Sequence, residues 1–247
     1  MADAPLRIAC VTGVSRGLGV AIAADLLGRG WEVVGLGRSA DPTLAGEHFR
    51  LAVVDLAHLN ALEQVAAATF ADVAARGPAR AVLVNNAAVA GPTGLVGRLS
   101  ADEIAVSLAV NLAAPLILAN AFVRALAGAV SARVVNVSSG AADNPLPGCV
   151  AYCVGKAGLE MMAPVIAAER PARVEAVTIR PGIIDTPMQV YMRTREREAL
   201  PVADLFQGFH ASGSLQSPGE TARRIVDHVV LADVADGALL SYRDLPP

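Results

Sequence analysis

The sequence predicts an α/β fold, a doubly wound parallel sheet of about seven strands flanked by helices within a single domain. Two observations lead to this prediction. Short apolar runs without polar alternation, typical of parallel strands covered on both faces, alternate along the chain with longer helical patterns. The first strands also end in Gly, Arg, Asp or Asn. Because ligands bind beyond the carboxyl ends of the strands in such sheets, we expect one binding cleft along that edge.

Composition and charge favour a protein that binds small molecules. The chain has 247 residues, of which 54% are hydrophobic and 17% charged, and its formal net charge is -3. This balance fits one well-buried domain over residues 1–247, and no Lys/Arg-rich run indicates a nucleic-acid or membrane-surface partner. The start of the chain lacks a signal-peptide pattern, and the 3 cysteines suit a reducing compartment. We therefore expect a cytoplasmic protein.

Metal binding and membrane insertion are not expected. The cysteines and the 4 histidines show no metal-ligand spacing. The most apolar long window, about residues 105–123, is interrupted by Asn111, Pro115 and Asn120. This window predicts a buried helix rather than a membrane span.

The chain begins with a strand, a glycine turn and a helix. An apolar run from Arg7 to Val11 leads into Thr12-Gly13-Val14-Ser15-Arg16-Gly17-Leu18-Gly19 and an alanine-rich helical pattern. Glycines permit a tight turn and close backbone approach, and the N–H groups at a helix start suit a pyrophosphate. The spacing differs from Gly-x-Gly-x-x-Gly, so the turn matches the general dinucleotide fingerprint in mechanism only.

The same turn also fits a second class of enzyme. Gly13-Val14-Ser15-Arg16-Gly17 satisfies Gly-x-Ser-x-Gly, the nucleophile elbow of α/β-hydrolases, in a strand-turn-helix context. A serine hydrolase would use Ser15 as its nucleophile. Against it, the elbow normally follows several strands rather than the first, and Gly19 has no role in that mechanism. Labelling of Ser15 by a serine-directed probe would support this alternative.

Two arginines predict which dinucleotide binds. Arg38 follows the second strand, Trp31 to Leu36. At this place an acidic residue would hold the ribose hydroxyls of NAD, whereas an arginine accommodates the 2′-phosphate of NADP. Arg16 in the glycine turn is a second candidate, because guanidinium groups match phosphate in charge and geometry. Both could instead be solvated surface residues, but together they favour NADP.

Polar residues also end the third and fourth strands. Asp55 could accept a hydrogen bond from an adenine amine, or it could cap the helix that begins near Leu59. Asn85 and Asn86 follow the fourth strand. Paired amides at a buried strand end can tie neighbouring loops together and border a cofactor. We expect a structural role for Asn85.

Two long helices follow, separated by a strand from Arg133 to Val137. The first, about residues 101–127, carries Asn111, which could reach into the site, and Pro115, which removes a helical hydrogen bond and predicts a bend. The second runs from about residue 152 to 170 and contains Pro164, where we expect a kink.

The strand end and the second helix predict a catalytic centre. Residues four apart share a helix face, so the phenol of Tyr152 and the ammonium of Lys156 project to one side. A nearby ammonium favours the phenolate, which predicts a lowered pKa for Tyr152 and efficient proton transfer. Ser139, rather than Ser138, is expected beside the phenol. The alternative is a surface Tyr–Lys pair. Cys153 points about 100° away and is expected to be a spectator.

After the sixth strand, Arg173 to Ile179, the chain loses strong periodicity. Residues 183–215 predict a partly helical lid over the substrate, or else a plain surface excursion. Their apolar members suit an aromatic compound better than a charged sugar. These are Met188, Tyr191, Met192, Leu205, Phe206 and Phe209. A helix from Pro218 to Leu231 and an edge strand from Gly237 to Tyr242 complete the predicted fold.

Taken together, these residues resemble the short-chain dehydrogenase/reductases, whose fold is of the Rossmann type. The resemblance covers nearly the whole chain and rests on the order of several motifs. These are Thr12-Gly13-x3-Gly17-x-Gly19, Asn85-Asn86-Ala87, Asn111, Ser139, Tyr152-x3-Lys156 and Pro181-Gly182-x3-Thr186. Ala-Tyr-Cys-Val-Gly-Lys-Ala, and Asp185-Thr186-x-Met188-Gln189 followed by Arg193, are similar to the sepiapterin reductase and benzil reductase branch.

The resemblance implies reduction of a small-molecule carbonyl, a ketone or an aromatic or vicinal dicarbonyl, by hydride transfer from NADPH. Tyr152 would protonate the developing alkoxide, Ser139 would hydrogen-bond that oxygen, and Thr186 would hold the nicotinamide amide. Lys156 would hold the nicotinamide ribose and lower the pKa of Tyr152, and Asn111 would support a water relay. The other implied cofactor contacts are Gly13, Ser15, Arg16, Gly17, Leu18, Gly19, Arg38, Asp55, Leu56, Asn86, Ala87, Pro181, Gly182 and Ile184. Family members commonly associate through the Asn111 and Tyr152 helices, which implies a homodimer or homotetramer.

Three positions depart from the family pattern. Ala88 stands where the family usually has Gly, Gly155 stands where it has Ser, and Pro164 is unusual within its helix. Ala88 would slightly reshape the cofactor pocket, and Gly155 removes a hydroxyl beside the nicotinamide, but neither change deletes a proton-transfer group. A non-catalytic NADP-binding scaffold is a further alternative, although a scaffold would not need all four catalytic candidates.

Overall fold

The computed structural model describes residues 4–246 and contains one seven-stranded sheet. The strand order is β3-β2-β1-β4-β5-β6-β7, and all neighbouring strands are parallel. The strands are β1 (Arg7–Thr12), β2 (Glu32–Gly37), β3 (Phe49–Val53), β4 (Arg80–Asn85), β5 (Ser131–Val137), β6 (Val174–Arg180) and β7 (Leu239–Ser241). The predicted doubly wound sheet is confirmed. Its strand order reverses between β1 and β4, where such sheets open a crevice.

Helices cover both faces of the sheet and bury two apolar layers. They are α1 (Leu18–Gly28), α2 (Leu59–Ala75), α3 (Ala101–Leu108), α4 (Ala114–Leu126), α5 (Val150–Glu169), α6 (Pro187–Arg193), α7 (Ala203–Ala211) and α8 (Pro218–Ile225). Helices α2, α4 and α5 pack on one face. Helices α1 and α8 pack on the other. Strands without polar alternation therefore reflect burial on both sides.

The two internal prolines affect their helices differently. A π-helical turn, Ala109–Ala113, separates α3 from α4 just before Pro115. Because Pro115 cannot donate a backbone hydrogen bond, the predicted irregularity takes the form of this wider turn, which contains Asn111. By contrast, α5 continues through Pro164 to Glu169. The predicted kink at Pro164 does not interrupt that helix.

Two helical stretches are long and apolar enough to cross a membrane by length and composition alone. They are Ala101–Leu126 and Val150–Glu169. Both contribute to the core on one face of the sheet, the first through Leu118 and Phe122 and the second through Leu159. Burial therefore accounts for their apolar composition, as predicted for the first of them.

The segment over residues 183–215 contains α6 and α7, so its partly helical character is as predicted. Its two ends are joined by a bridge between Ile184 and Gln216. Its buried apolar side chains form a third apolar cluster, separate from the two layers on the faces of the sheet. The loops after β4 and β5 also contribute residues to this cluster. The buried members of this cluster are Ala90, Cys149, Met192, Leu200, Ala203 and Phe206. The segment therefore packs over the carboxyl end of the sheet.

Candidate active site

A cleft of about 850 Å³ lies beyond the carboxyl ends of the central strands. All of the predicted catalytic and cofactor-binding residues line it except Gly19 and Asn111. These side chains thus meet at the carboxyl edge of the sheet, where the fold class predicts a binding cleft.

The glycine turn forms one wall of the cleft with its backbone. Gly13 and Gly17 have φ angles of 76° and 64°, a left-handed conformation that glycine adopts without strain. A Cβ atom on Gly19 would lie 2.3 Å from the carbonyl oxygen of Gly13. Gly19 therefore acts beneath the cleft surface, where it allows α1 to pack closely on the turn. Helix α1 starts at Leu18, and no side chain within residues 4–246 caps its first turn. Its first backbone N–H groups can therefore bind an anion.

Hydrogen bonds join the glycine turn to the end of β4. The hydroxyl oxygen of Thr12 accepts hydrogen bonds from the backbone N–H groups of Asn86 and Ala87, both at 2.9 Å. The side-chain amide of Asn86 donates to the Thr12 carbonyl oxygen at 2.9 Å. Asn85 donates to the side chain of Asn136 on β5 at 3.0 Å. These bonds fix the floor of the cleft, which is the structural role predicted for Asn85.

The end of the cleft near β2 and β3 presents exposed charges. The Arg38 side chain is 79% exposed, and its Nη1 lies 3.8 Å from Oδ2 of Asp55. Oδ1 of Asp55 accepts a hydrogen bond from the Ala57 N–H at 3.0 Å. Asp55 therefore caps the turn before α2, whose own N-cap residue is His58, rather than α2 itself. Arg16 is exposed in the same cleft. Both guanidinium groups can reach a ligand from solvent.

The opposite end brings together the three side chains predicted to act on the substrate. Nζ of Lys156 lies 5.8 Å from the centroid of the Tyr152 ring. Lys156 is only 2% exposed, and its Nζ donates to the carbonyl oxygen of Val137 at 2.7 Å. Ser139 follows β5, and its hydroxyl oxygen accepts a hydrogen bond from the Ala141 N–H at 3.2 Å. The Tyr–Lys pair is therefore not a surface pair, since Lys156 is buried and the half-buried Tyr152 lines the cleft.

The protonation behaviour of this end differs from the prediction. Burial raises the pKa of Tyr152 to about 12, and a hydrogen bond with Ser139 offsets only part of this effect. Burial also lowers the pKa of Lys156 to about 8, although the carboxylate of Glu160 acts in the opposite direction. The predicted lowering of the Tyr152 pKa is wrong, because the desolvation of the phenol is the largest influence on it and raises the pKa.

Asn111 lies behind the cleft wall. The prediction that its side chain reaches into the site is wrong, because Asn111 does not line the cleft. Its Oδ1 accepts from the Val89 N–H at 2.9 Å, and its Nδ2 donates to the Val89 carbonyl at 2.9 Å and to Ser107 at 3.2 Å. These bonds hold the loop after β4. A Cβ atom on Gly155 would lie 3.0 Å from the Asn111 Cβ, so this departure from the family pattern lets α5 approach the π-helical turn. Ala88, another departure, lines the cleft.

The wall beside Tyr152 is mostly apolar. Four of the predicted apolar lid residues line it, namely Met188, Tyr191, Met192 and Phe206. Leu205 is 45% exposed, and Phe209 packs in the third cluster. Ala90, Gly91 and Leu146 also line the cleft but were not predicted. Their only signal in the sequence is that they lie in loops that follow β4 and β5.

Comparisons with known proteins identify the family. Residues 7–197 match the family model described as short chain dehydrogenase. Benzil reductase ((S)-benzoin forming) of Bacillus subtilis (strain 168) is 32% identical over 219 residues, which cover 86% of this chain and 89% of that protein. Sepiapterin reductase of Meriones unguiculatus is 30% identical over 254 residues and 96% of each chain.

A solved structure gives the same result. A Beutenbergia cavernae protein with NADP bound at low occupancy superposes with a TM-score of 0.78 at 25% identity, covering 96% of this chain and 94% of that chain. The fold, the cleft and the sequence matches agree. The chain belongs to the short-chain dehydrogenase/reductase family and is related to benzil reductase and sepiapterin reductase.

Proposed function

We propose that the chain is an NADPH-dependent carbonyl reductase that acts on a ketone or a 1,2-diketone, with Tyr152 as the general acid. The observation that carries this proposal is the position of Tyr152, Lys156 and Ser139 in one cleft with the glycine turn. Family membership supplies the oxidoreductase class, and the side chains supply a route for the proton.

The cleft has the features that a dinucleotide requires. A Cβ atom on Gly13 would lie 3.0 Å from the Cα of Ala87, so glycine keeps open the space in which a ligand can approach the backbone. The uncapped N-terminus of α1 suits a pyrophosphate. Arg38 and Arg16 suit a 2′-phosphate, and the NADP bound to the Beutenbergia cavernae protein supports the same choice.

The residues of the chain would divide the work as follows. The bound cofactor supplies a hydride to the carbonyl carbon. Tyr152 keeps its proton through neutral pH and donates it to the carbonyl oxygen as negative charge develops there. Ser139 places a second hydrogen-bond donor at that oxygen. Lys156 donates one N–H to Val137 and keeps its other two donors for the ribose hydroxyls, while Thr186 holds the nicotinamide amide.

The apolar wall beside Tyr152 supports an aromatic or vicinal dicarbonyl substrate. Aromatic side chains, Tyr191 and Phe206, and the flexible Met188 and Met192 line this wall. Such a surface binds aryl groups and lacks the charged groups that a sugar acid or phosphate would need. The names of the two relatives also point to compounds of this class.

A panel of carbonyl compounds tests the proposal. Purified protein would be mixed with NADPH or NADH and with benzil, sepiapterin or simple ketones, and cofactor oxidation followed by absorbance. We expect turnover of benzil with NADPH and much slower turnover with NADH. If NADPH binds but no carbonyl is reduced, the protein is a binding scaffold.

The serine hydrolase alternative has no support from the site. Ser15 is exposed in the glycine turn, and within residues 4–246 no hydrogen bond connects it to a histidine. The family match assigns the turn to a dehydrogenase instead. Labelling of Ser15 by a serine-directed probe would overturn this assignment.

We also propose that the chain is a cytoplasmic homodimer or homotetramer that associates through the outer faces of α4 and α5. Large apolar side chains are exposed there, among them Leu116 (54%), Val154 (52%), Met161 (63%) and Val165 (46%). Apolar faces of this kind favour association. Light scattering coupled to size exclusion would measure the oligomeric state, and a monomer would contradict the proposal.

A further inference from the structure

We propose that Glu160 and Arg180 are positioning residues, which hold Ser139, the loop after it and the Tyr152 helix in the arrangement that proton transfer requires. The inference rests on the proposed function and deepens it. Neither residue was singled out by the sequence analysis.

Glu160 connects the Tyr152 helix to Ser138, the residue directly before the candidate catalytic serine. Tyr152, Lys156 and Glu160 are spaced four residues apart on α5, so they share one face of the helix. The Glu160 side chain is 14% exposed. Its Oε1 accepts a hydrogen bond of 2.7 Å from the hydroxyl of Ser138, the residue directly before Ser139. One carboxylate therefore sets the distance between α5 and the end of β5.

Arg180 adds the end of β6 and the loop to this connection. Its Nε donates to Oε1 of Glu160 and its Nη2 to Oε2, both at 2.7 Å. Its Nη1 donates to Oδ2 of Asp143 at 2.6 Å. Asp143 lies in the loop between Ser139 and α5, and Arg180 directly precedes Pro181 and Gly182 in the cleft wall. The guanidinium group thus contacts α5 through Glu160 and the loop after Ser139 through Asp143. Through Glu160 it is also connected to Ser138 at the end of β5.

A second pair at the other end of the same strands shows what a purely structural pair looks like. Arg133 is 3% exposed on its side chain, and its Nε and Nη2 donate to Oε2 of Glu175 at 3.0 and 2.6 Å. That pair lies far from the cleft. The Glu175 side chain is 44% exposed and accepts through one oxygen only, whereas Arg180 contacts both oxygens of Glu160, a two-pronged arrangement that fixes geometry. Glu160 and Arg180 hold the end of β5, the loop after it and α5, which carry Ser139 and Tyr152.

Glu160 also acts on the charge of Lys156. Tyr152 and Glu160 face Lys156 from the same helix, and Arg180 from β6 and Asp143 from the loop are connected to it through Glu160. The Glu160 carboxylate opposes the effect of burial on the pKa of Lys156. Without this charge the pKa of Lys156 falls further, which a purely structural role for Glu160 would not predict.

The test compares Glu160→Gln with the matched control Glu175→Gln. Glutamine keeps the acceptor for Ser138 and the shape of the side chain but removes the charge. We expect Glu160→Gln to lower kcat ~10-fold or more, with the KM for NADPH within about 2-fold of wild type, since small misplacements cost catalysis more than binding. The alkaline limb of the kcat–pH profile should move to lower pH. Glu175→Gln should change neither quantity. Equal effects of the two variants would overturn the proposal.

Two further variants test the contribution of the guanidinium group. Arg180→Lys keeps a cation beside Glu160, and Arg180→Met does not. Partial recovery of kcat in the lysine variant relative to the methionine variant is expected. If the two variants are equally impaired at equal thermal stability, Arg180 does not act through its charge.

Hydrogen exchange separates this inference from the proposed function. If the wild type reduces no carbonyl, the proposed function fails, but the positioning role is still measured by amide exchange over residues 138–149. Faster exchange there in Glu160→Gln, and not in Glu175→Gln, would show that Glu160 holds the loop. Unchanged exchange would contradict the inference.

Discussion

The two ends of the cleft are built in opposite ways. At the glycine-turn end the ligand surface is backbone held by left-handed glycines, and the charges, such as the 79% exposed Arg38, stand in solvent. At the catalytic end several polar groups are buried and held by hydrogen bonds within the protein, as with Lys156 at 2% and Ser138 at 3% exposure. The comparison teaches that an exposed charge can be exchanged without disturbing the fold, whereas each buried group affects both packing and chemistry.

The largest effect is expected at the catalytic end. Tyr152→Phe removes only the phenolic hydroxyl, so turnover should fall ~10³-fold, within the range that a general acid contributes. The Kd for NADPH should stay within a few-fold, because the glycine turn and Arg38 are intact. Steady-state kinetics and fluorescence titration measure the two quantities. Unchanged turnover would disprove the mechanism.

The glycine turn should be sensitive to shape rather than to charge. Gly19→Ala places a Cβ atom 2.3 Å from the Gly13 oxygen and 2.5 Å from the Asn86 amide nitrogen. We expect a loss of ~3 kcal/mol in the free energy of unfolding, because the strand and turn must shift. Gly28→Ala in the same helix is the control, since no described atom outside its own helix and chain neighbours lies within 4 Å. Urea denaturation compares the variants, and similar losses in both would contradict the packing argument.

The exposed charge at the same end should control the choice of cofactor. Arg38→Asp should weaken NADPH binding ~30-fold more than NADH binding, about 2 kcal/mol of selectivity, and leave the fold stable. The effect should decrease with added salt, because the side chain is solvated. Binding titrations with both cofactors test this. Arg243→Asp, an exposed position outside the cleft, serves as control. Equal losses for both cofactors would remove Arg38 from the phosphate site.

The smallest expected effect is the contribution of Lys156 to the pH dependence of the free energy of unfolding. The folded-state pKa of Lys156, about 8, lies below its ordinary value of 10.5, so the unfolded chain binds more protons between these values. The free energy of unfolding of the wild type should therefore rise with pH in this window relative to that of Lys156→Met, by ~1 kcal/mol between pH 8 and 9. Parallel urea denaturation of both proteins cancels the contributions of the cysteines and Tyr152. A constant difference between them would show that Lys156 is not desolvated.

Much of this architecture could be predicted because it depends on local pattern. Unbroken apolar runs predicted the strands, and the glycines of the first turn predicted a tight turn at the cleft. The spacing of Tyr152 and Lys156 placed both on one helix face. Periodicity reports which side chains are buried, and the carboxyl ends of parallel strands must meet at one edge.

The remainder depends on contacts between distant segments. The amide of Asn111 is engaged by Val89, a partner that no spacing rule identifies. The pKa of Tyr152 depends on how many atoms surround it, so reasoning from its neighbour Lys156 alone gave the wrong direction. Glu160 and Arg180 are 20 residues apart in sequence and meet only because α5 lies across β6. Such contacts are properties of the packed chain.

The burial of Tyr152 also bears on the pH at which the proposed reaction and its reverse can each be catalysed. A phenol with a pKa of about 12 carries its proton at neutral pH and is ready to give it away. Oxidation of the corresponding alcohol would need the same group as a phenolate, a species that is scarce until the solution is strongly alkaline. If Tyr152 is the proton donor, carbonyl reduction should therefore proceed at neutral pH, whereas catalysis of alcohol oxidation should become faster as the pH rises.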